Sequence, residues 1–115
     1  MVTHNSSMRA FVITLPAQPL QDEELEAAIR RAESGVAQHV IVCFLRVEIM
    51  SSATICNLII LERLLDGMDR QMVLCSLPSQ IMEVFRRVGL QSLFVFANDL
   101  CAARRWLEEH ACSCH

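Results

Sequence analysis

An α/β domain with a mostly parallel sheet of about four strands, and helices mainly on one face, is predicted by how the apolar residues are spaced and punctuated. Short apolar runs rich in Val, Ile and Phe alternate with longer segments whose apolar residues recur at helical spacing. Pro, Gly, Ser and Asn stand at the junctions. Each stretch between successive runs is long enough to hold a crossover helix, which favours parallel pairing with right-handed connections.

The first run, Ala10 to Leu15, reads as a strand closed by Pro16 and Pro19. Asp22, Glu23 and Glu24 then bring negative charge to the first turn of a helix carrying Leu25, Ala28, Ile29 and Ala32 on one face, with Gly35 as its stop. Val40 to Phe44 is a second strand, followed by a serine-containing loop and a helix from about Ser52 to Asp66 that Gly67 ends. Gln71 to Leu77 is a third strand. Pro78 and Ser79 open a helix whose inward face is Ile81, Val84, Phe85 and Val88, and Gly89 stops it. Leu93 to Phe96 is a short fourth strand, and Asn98 is the expected cap of a last helix bearing Leu100, Ala103, Trp106 and Leu107. Strands 40–44 and 71–75 are expected at the centre of the sheet, with Val42, Phe44, Val73, Val84 and Phe85 in the core. One domain, 10–110, is expected between a flexible N-terminus, 1–9, and a flexible tail, 111–115.

Composition narrows the function. The chain has 115 residues, 53% of them hydrophobic and 20% charged, enough apolar content for a folded core. A net charge of −3 and only 5% aromatic residues argue against a nucleic-acid partner, which calls for a basic patch and stacking rings. Arg46, Glu48, Glu62 and Arg63 interrupt the long apolar stretch, so it never reaches the roughly 18 to 20 uncharged residues of a membrane span. With no apolar leader before Ala10, a cytoplasmic location away from membranes is expected. Six cysteines are present, and Cys43, Cys56 and Cys75 lie inside apolar runs, which predicts reduced, at least partly buried thiols. The tail His110-Ala111-Cys112-Ser113-Cys114-His115 has a tighter Cys spacing than structural zinc sites use, and no Gly-rich phosphate loop occurs. No cofactor or metal is expected, and a non-enzymatic role is.

The segment Met50-Ser51-Ser52-Ala53-Thr54-Ile55-Cys56 joins a buried strand to an unusually apolar helix. Hydroxyls at that point can cap the free N–H groups of the helix, worth about 1 kcal/mol, and a phosphate there would sit at the positive end of its dipole. On the helix itself, Leu58, Leu61 and Leu65 form one apolar stripe, and Cys56, Ile60 and Leu64 form another on roughly the opposite side. One stripe can pack on the sheet. The other needs a flanking helix, a dimer mate or a regulatory partner.

The run Val40-Ile41-Val42-Cys43-Phe44-Leu45-Arg46-Val47-Glu48-Ile49-Met50-Ser51-Ser52-Ala53 resembles the central signature of the STAS family, the sulphate transporter and anti-sigma-factor antagonist domains. In that signature an apolar strand and an Asp lead through a short linker to Phe-Met/Ile-Asp-Ser-Ser-Gly-Leu-Gly. The resemblance continues through Arg70 to Cys75, through Ile81 to Leu90 with its terminal Gly-Leu pair, and through Leu93-Phe94 and the last helix, so it spans about 10–110. Ser52 matches the first Ser of the pair, and Ala53 matches the second, which antagonist members phosphorylate. Ser51 stands at the signature's Asp, Thr54 and Cys56 at its glycines, and Cys43 at the Asp ending the strand.

The resemblance implies a regulatory binding module of anti-sigma-factor-antagonist type, acting in bacterial transcription regulation and signalling. Its expected partner is an anti-sigma factor or serine-kinase-type protein. Docking would use the 48–54 loop and the following helix, through Glu48, Met50, Ser51, Ser52, Ala53, Thr54, Cys56, Asn57 and Ile60. With Ala53 at the usual acceptor, the switch is expected to be lost or moved to Ser52, Ser51 or Thr54, and loss would lock the module in its binding-competent form. The alternative is a structural or scaffolding homo-oligomer, in the simplest case a homodimer, that uses helix 52–66 as a permanent interface.

Overall fold

Strands β1 (Ala10–Thr14), β2 (His39–Cys43), β3 (Met72–Cys75) and β4 (Val95–Ala97) form one sheet in the order β1-β2-β3-β4, every pair parallel. Between and after them run α1 (Gln21–Glu33), α2 (Ser52–Asp66), α3 (Ser79–Arg87) and α4 (Leu100–His110). The computed structural model describes residues 10–17, 21–35 and 38–110, and the ends expected to be flexible, 1–9 and 111–115, lie outside the described residues.

Alternation along the two central strands sorts the core into two layers. Val40 and Val42 of β2 and Met72 and Leu74 of β3 face α1, α2 and α3, meeting Leu25, Ala28, Leu58, Leu61, Leu65, Ile81 and Phe85. Ile41 and Val73 face the other way, onto Ala103 and Leu107 of α4. A sheet wound in sequence order through connections of one hand puts its crossover helices on one face, and only the terminal helix is free to cover the other. Both faces of β2 and β3 are therefore dry, which explains why their sequences are continuous apolar runs rather than alternating ones.

Phe85 organises the end of the larger layer. Its ring meets Phe44, Phe94 and Phe96 edge-on at centroid distances of 6.2, 5.6 and 5.6 Å. Such pairs add about 0.5–1.5 kcal/mol each beyond the area they bury. α3 ends in a Schellman turn, in which the Leu90 N–H donates to the Phe85 carbonyl at 2.9 Å and the Gly89 N–H to that of Arg86 at 3.2 Å. Gly89 takes the left-handed φ of 76° that this turn requires. At the end of α2, Gly67 follows the last helical residue as expected, yet keeps a right-handed φ of −66°. Asp69, at φ 60°, supplies the left-handed residue there, and the Arg70 N–H closes onto the Leu65 carbonyl at 2.8 Å.

Four expectations are corrected. Val88 is 54% exposed, because it is the C-cap of α3 and the chain turns at Gly89 to bring Leu90 against the core in its place. Val84 is half-buried rather than central. The fourth strand starts at Val95, since residues 90–93 fold into a turn closed by the Leu93 N–H on the Leu90 carbonyl. The cap of α4 is Asp99, whose carboxylate accepts the Ala102 N–H at 2.8 Å, and Asn98 stays exposed.

Candidate functional site

The loop from β2 to α2 lies at the carboxyl edge of the sheet, where open α/β sheets carry their functional loops. Phe44 and Val47 anchor it from inside, each fully buried, with the Val47 N–H on the Phe44 carbonyl at 3.0 Å. Between and beyond these anchors Leu45 is 71% exposed and Ile49 is 69% exposed. Apolar side chains of that size left in water on a loop held by its own core are candidates for contact with another surface.

Ser51 is the N-cap of α2. Its backbone is extended, with φ −87° and ψ 166°, and its Oγ accepts the Thr54 N–H at 3.2 Å. Ser51 Oγ also lies 3.2 Å from Thr54 Oγ1. Thr54 is fully buried, and its hydroxyl faces two acceptors on α1, Asp22 Oδ1 at 2.9 Å and Gln21 Oε1 at 3.2 Å. Asn57 Nδ2 donates to the same Asp22 oxygen at 3.4 Å, and Gln21 Nε2 donates to the Ile49 carbonyl at 3.1 Å. The first turn of α2 holds no acidic residue of its own, so the Asp22 carboxylate, reaching across from α1, is the negative charge set beside that positive helix end.

The network divides the expected site residues into two sets. Thr54 is enclosed, Ser51 is committed to capping, and Asn57 is turned toward Asp22; Met50 is half-buried against the core. Glu48, Ser52, Ala53, Cys56 and Ile60 are exposed, Ile60 at 45%. Ser52, Cys56 and Ile60 are spaced by four along α2 and so share one face of it. The exposure of Cys56 corrects the expectation of a partly buried thiol: α1 packs beside the Leu58, Leu61 and Leu65 stripe, and among the described residues none covers Cys56 and Ile60. Leu64, at the lower end of that stripe, does pack on the core.

Sequence reasoning did not bring Gln21 or Asp22 to this site, nor single out Leu45 and Ile49. The apolar loop residues were readable as interruptions that no strand or helix pattern absorbs. Gln21 and Asp22 lie 28 and 32 residues from their partners Ile49 and Thr54, and Asp22 reads equally well as a helix-dipole charge.

Elsewhere, a cleft of about 350 Å³ opens between α3, β4 and α4, lined by apolar side chains and Asn98, without an ionisable group. Among the described residues no three His, Cys, Asp or Glu side chains are grouped to hold a metal ion, and no helix is long and apolar enough to cross a membrane.

The parallel α/β domain thus carries, at the carboxyl edge of its sheet, a loop that leads into a capped helix with Cys56 and Ile60 exposed. Residues 20–103 match the STAS domain model, and the chain belongs to the STAS family. Its fold is that of several solved anti-sigma-factor antagonists. The STAS-domain anti-sigma-factor antagonist of Planctomyces limnophilus superposes with a TM-score of 0.76 at 16% identity, over 94% of this chain and 97% of that one. A putative anti-sigma factor antagonist of Thermotoga maritima gives 0.74 at 8% identity, over 94% and 92%. The antagonist SpoIIAA in its unphosphorylated form gives 0.68 at 17% identity, over 96% and 94%. Among curated proteins none matches the sequence.

Proposed function

We propose that this protein is a non-enzymatic regulatory module that docks an anti-sigma factor or serine-kinase-type partner through the surface formed by Ile49, Ser52, Ala53, Cys56 and Ile60. The observation that carries the proposal is the exposed Ser52–Cys56–Ile60 face of α2, with an exposed Ile49 three residues before Ser52. The likeness in fold to anti-sigma-factor antagonists supports the class of partner.

The same geometry bears on the switch. Ala53, at the family's acceptor position, is exposed and has no hydroxyl. Thr54 is sealed behind Asp22 and Gln21, and Ser51 Oγ is occupied as the cap. Of the three candidate hydroxyls Ser52 is the exposed one, Ser51 being half-buried and Thr54 fully buried. A chain that carries no phosphate on this face stays in the docking-competent form. A phosphate on Ser52 would add about −2 charge to an apolar contact and oppose docking.

The test is calorimetric titration of the purified serine-kinase anti-sigma factor from the same source with wild type, Ile60→Asp and Ser52→Asp, each checked for fold by circular dichroism. Docking can bury only the 45% of Ile60 that is exposed, worth about 0.7–1.4 kcal/mol, and the desolvation of an unpaired carboxylate adds to that loss, so Ile60→Asp should weaken docking more than tenfold with the fold intact. Undiminished affinity in both variants would place the interface elsewhere. A stable dimer in light scattering that Ile60→Asp dissociates, with no partner binding by wild type, would favour the scaffolding role. Intact-mass measurement after incubation with the kinase, with the site mapped to Ser52 or absent, decides the switch.

A further inference from the structure

Cys43 ends β2 and Cys75 ends β3, and the two are register partners across the centre of the sheet. Both side chains belong to the layer that faces α4. Adjacent strands lie about 4.7–4.9 Å apart, inside the roughly 4.4–6.8 Å that separates the Cα atoms of natural disulfides. The backbone at this point is held on both sides: the Leu15 N–H donates to the Cys43 carbonyl at 3.0 Å and the Phe44 N–H to the Cys75 carbonyl at 2.9 Å. In-register residues of neighbouring strands leave the sheet on the same side, so the two thiols are neighbours, and side-chain rotation with a small approach of the strand ends brings the sulfurs together. The thiols differ in access, since Cys75 is fully buried and Cys43 is only half-buried.

We infer that Cys43 and Cys75 are a peroxide-sensitive dithiol that closes to an intramolecular disulfide between the two central strands. Cys43, the accessible thiol, is the attacking group. Its thiolate displaces hydroxide from hydrogen peroxide, the O–O bond breaks, the hydroxide takes up a proton to leave as water, and Cys43 is oxidised to the sulfenic acid. The Cys75 sulfur then loses its proton and attacks the Cys43 sulfur, the S–O bond breaks, and a second water leaves as the S–S bond forms. Two thiols and one peroxide thus give one disulfide and two waters. The assignment of roles agrees with the surroundings: burial first, then the neighbouring Cys43, pushes the Cys75 thiol up to about 11, so near neutral pH it is protonated and gives up its proton to the departing hydroxide as it attacks. The inference does not depend on the docking surface, which lies on other side chains.

The experiment exposes the full wild-type chain to hydrogen peroxide, blocks remaining thiols with an alkylating agent, and maps the digest by mass spectrometry without reduction. A cross-linked peptide pair joining Cys43 to Cys75, abolished by dithiothreitol, is expected. In Cys75→Ser, the sulfenic-acid probe dimedone should label Cys43; in Cys43→Ser it should leave Cys75 unlabelled. The wild-type map needs no variant, so a variant that fails to fold does not suspend the test. If peroxide consumes the exposed Cys56 and Cys101 while Cys43 and Cys75 are recovered as free thiols, the inference is overturned. Dimedone on Cys75 in preference to Cys43 would overturn the order of attack.

Discussion

Thr54→Val is the sharpest probe of the loop's internal frame, because Val keeps the shape of Thr and deletes only the hydroxyl. That hydroxyl is fully buried, 2.9 Å from the Asp22 carboxylate and 3.2 Å from both Gln21 Oε1 and Ser51 Oγ. A hydrogen bond to a charged acceptor is worth about 1.5–3 kcal/mol, and part of this is returned because the new methyl group is apolar. The expected loss is about 1–3 kcal/mol, and at roughly 4 °C per kcal/mol for a domain of this size the melting temperature should fall by about 4–12 °C. Thr54→Ser keeps the hydroxyl and gives up one methyl, which costs about 0.8 kcal/mol, so it should be the milder change. Calorimetric melting and urea titration of the two variants supply the comparison. A double-mutant cycle with Asp22→Asn then isolates the pairwise coupling. The assignment of Thr54 to this network is refuted if Thr54→Val melts with the wild type or if Thr54→Ser is the more damaging of the two.

Two other outcomes follow from the same geometry. Ser51→Ala should cost about 1 kcal/mol as a lost cap, whereas Ser52→Ala, one residue further and exposed, should stay within about 0.5 kcal/mol; equal effects in urea titration would contradict the assignment of the cap to Ser51. His39 is predicted to make stability fall with acidification. Burial, and then the nearby Arg70, hold its pKa below the ordinary 6.5, and its Nδ1 accepts the Gln71 N–H at 3.0 Å, which only the unprotonated nitrogen can do. The folded state therefore binds fewer protons than the unfolded one, so this contribution is complete above 6.5 and is lost as pH drops through the lower folded value. His39→Gln should flatten that slope in urea midpoints measured across the range, and an unchanged slope would assign it to other groups.

The order of strands and helices was legible because each change of spacing coincides with a residue that punctuates for a physical reason: Pro78 before α3, Gly89 after it, Ser51 before α2. Legibility failed where two neighbours could do the same work. Asn98 and Asp99 are both good caps, and only the position of the Ala102 N–H decides between them. It failed again on α2, where apolar stripes on opposite sides do not reveal which one α1 and the sheet will cover. At the candidate site the helix period put Ser52, Cys56 and Ile60 on one face without saying that this face is the exposed one, and Cys56 was expected to be partly buried. The inward ones were not distinguishable from them, because what withdraws Thr54 and Asn57 is a contact with Asp22, a residue at the start of a different helix.

That division has an energetic consequence for the proposed docking. A loop that must be ordered on binding loses part of its contact energy to side-chain and backbone entropy, about 0.5–1.5 kcal/mol for each immobilised side chain. Here Gln21 holds the Ile49 carbonyl, Asp22 holds Thr54 and Asn57, Ser51 caps the helix, and Phe44 and Val47 are sunk in the core. The exposed face is thus fixed from behind before any partner arrives. Polar groups spent on this internal frame are groups withheld from the surface, which leaves Ile49, Ala53, Cys56 and Ile60 as an apolar contact interrupted by one accessible hydroxyl. On such a face a single charge at Ser52 meets no compensating cation on the first turn of α2, so its desolvation falls wholly on the complex. Thr54→Val should consequently weaken docking even though Thr54 touches no partner, with the loss tracking the increase in loop hydrogen exchange and vanishing if Ile49 and Ser52 stay as protected as in the wild type.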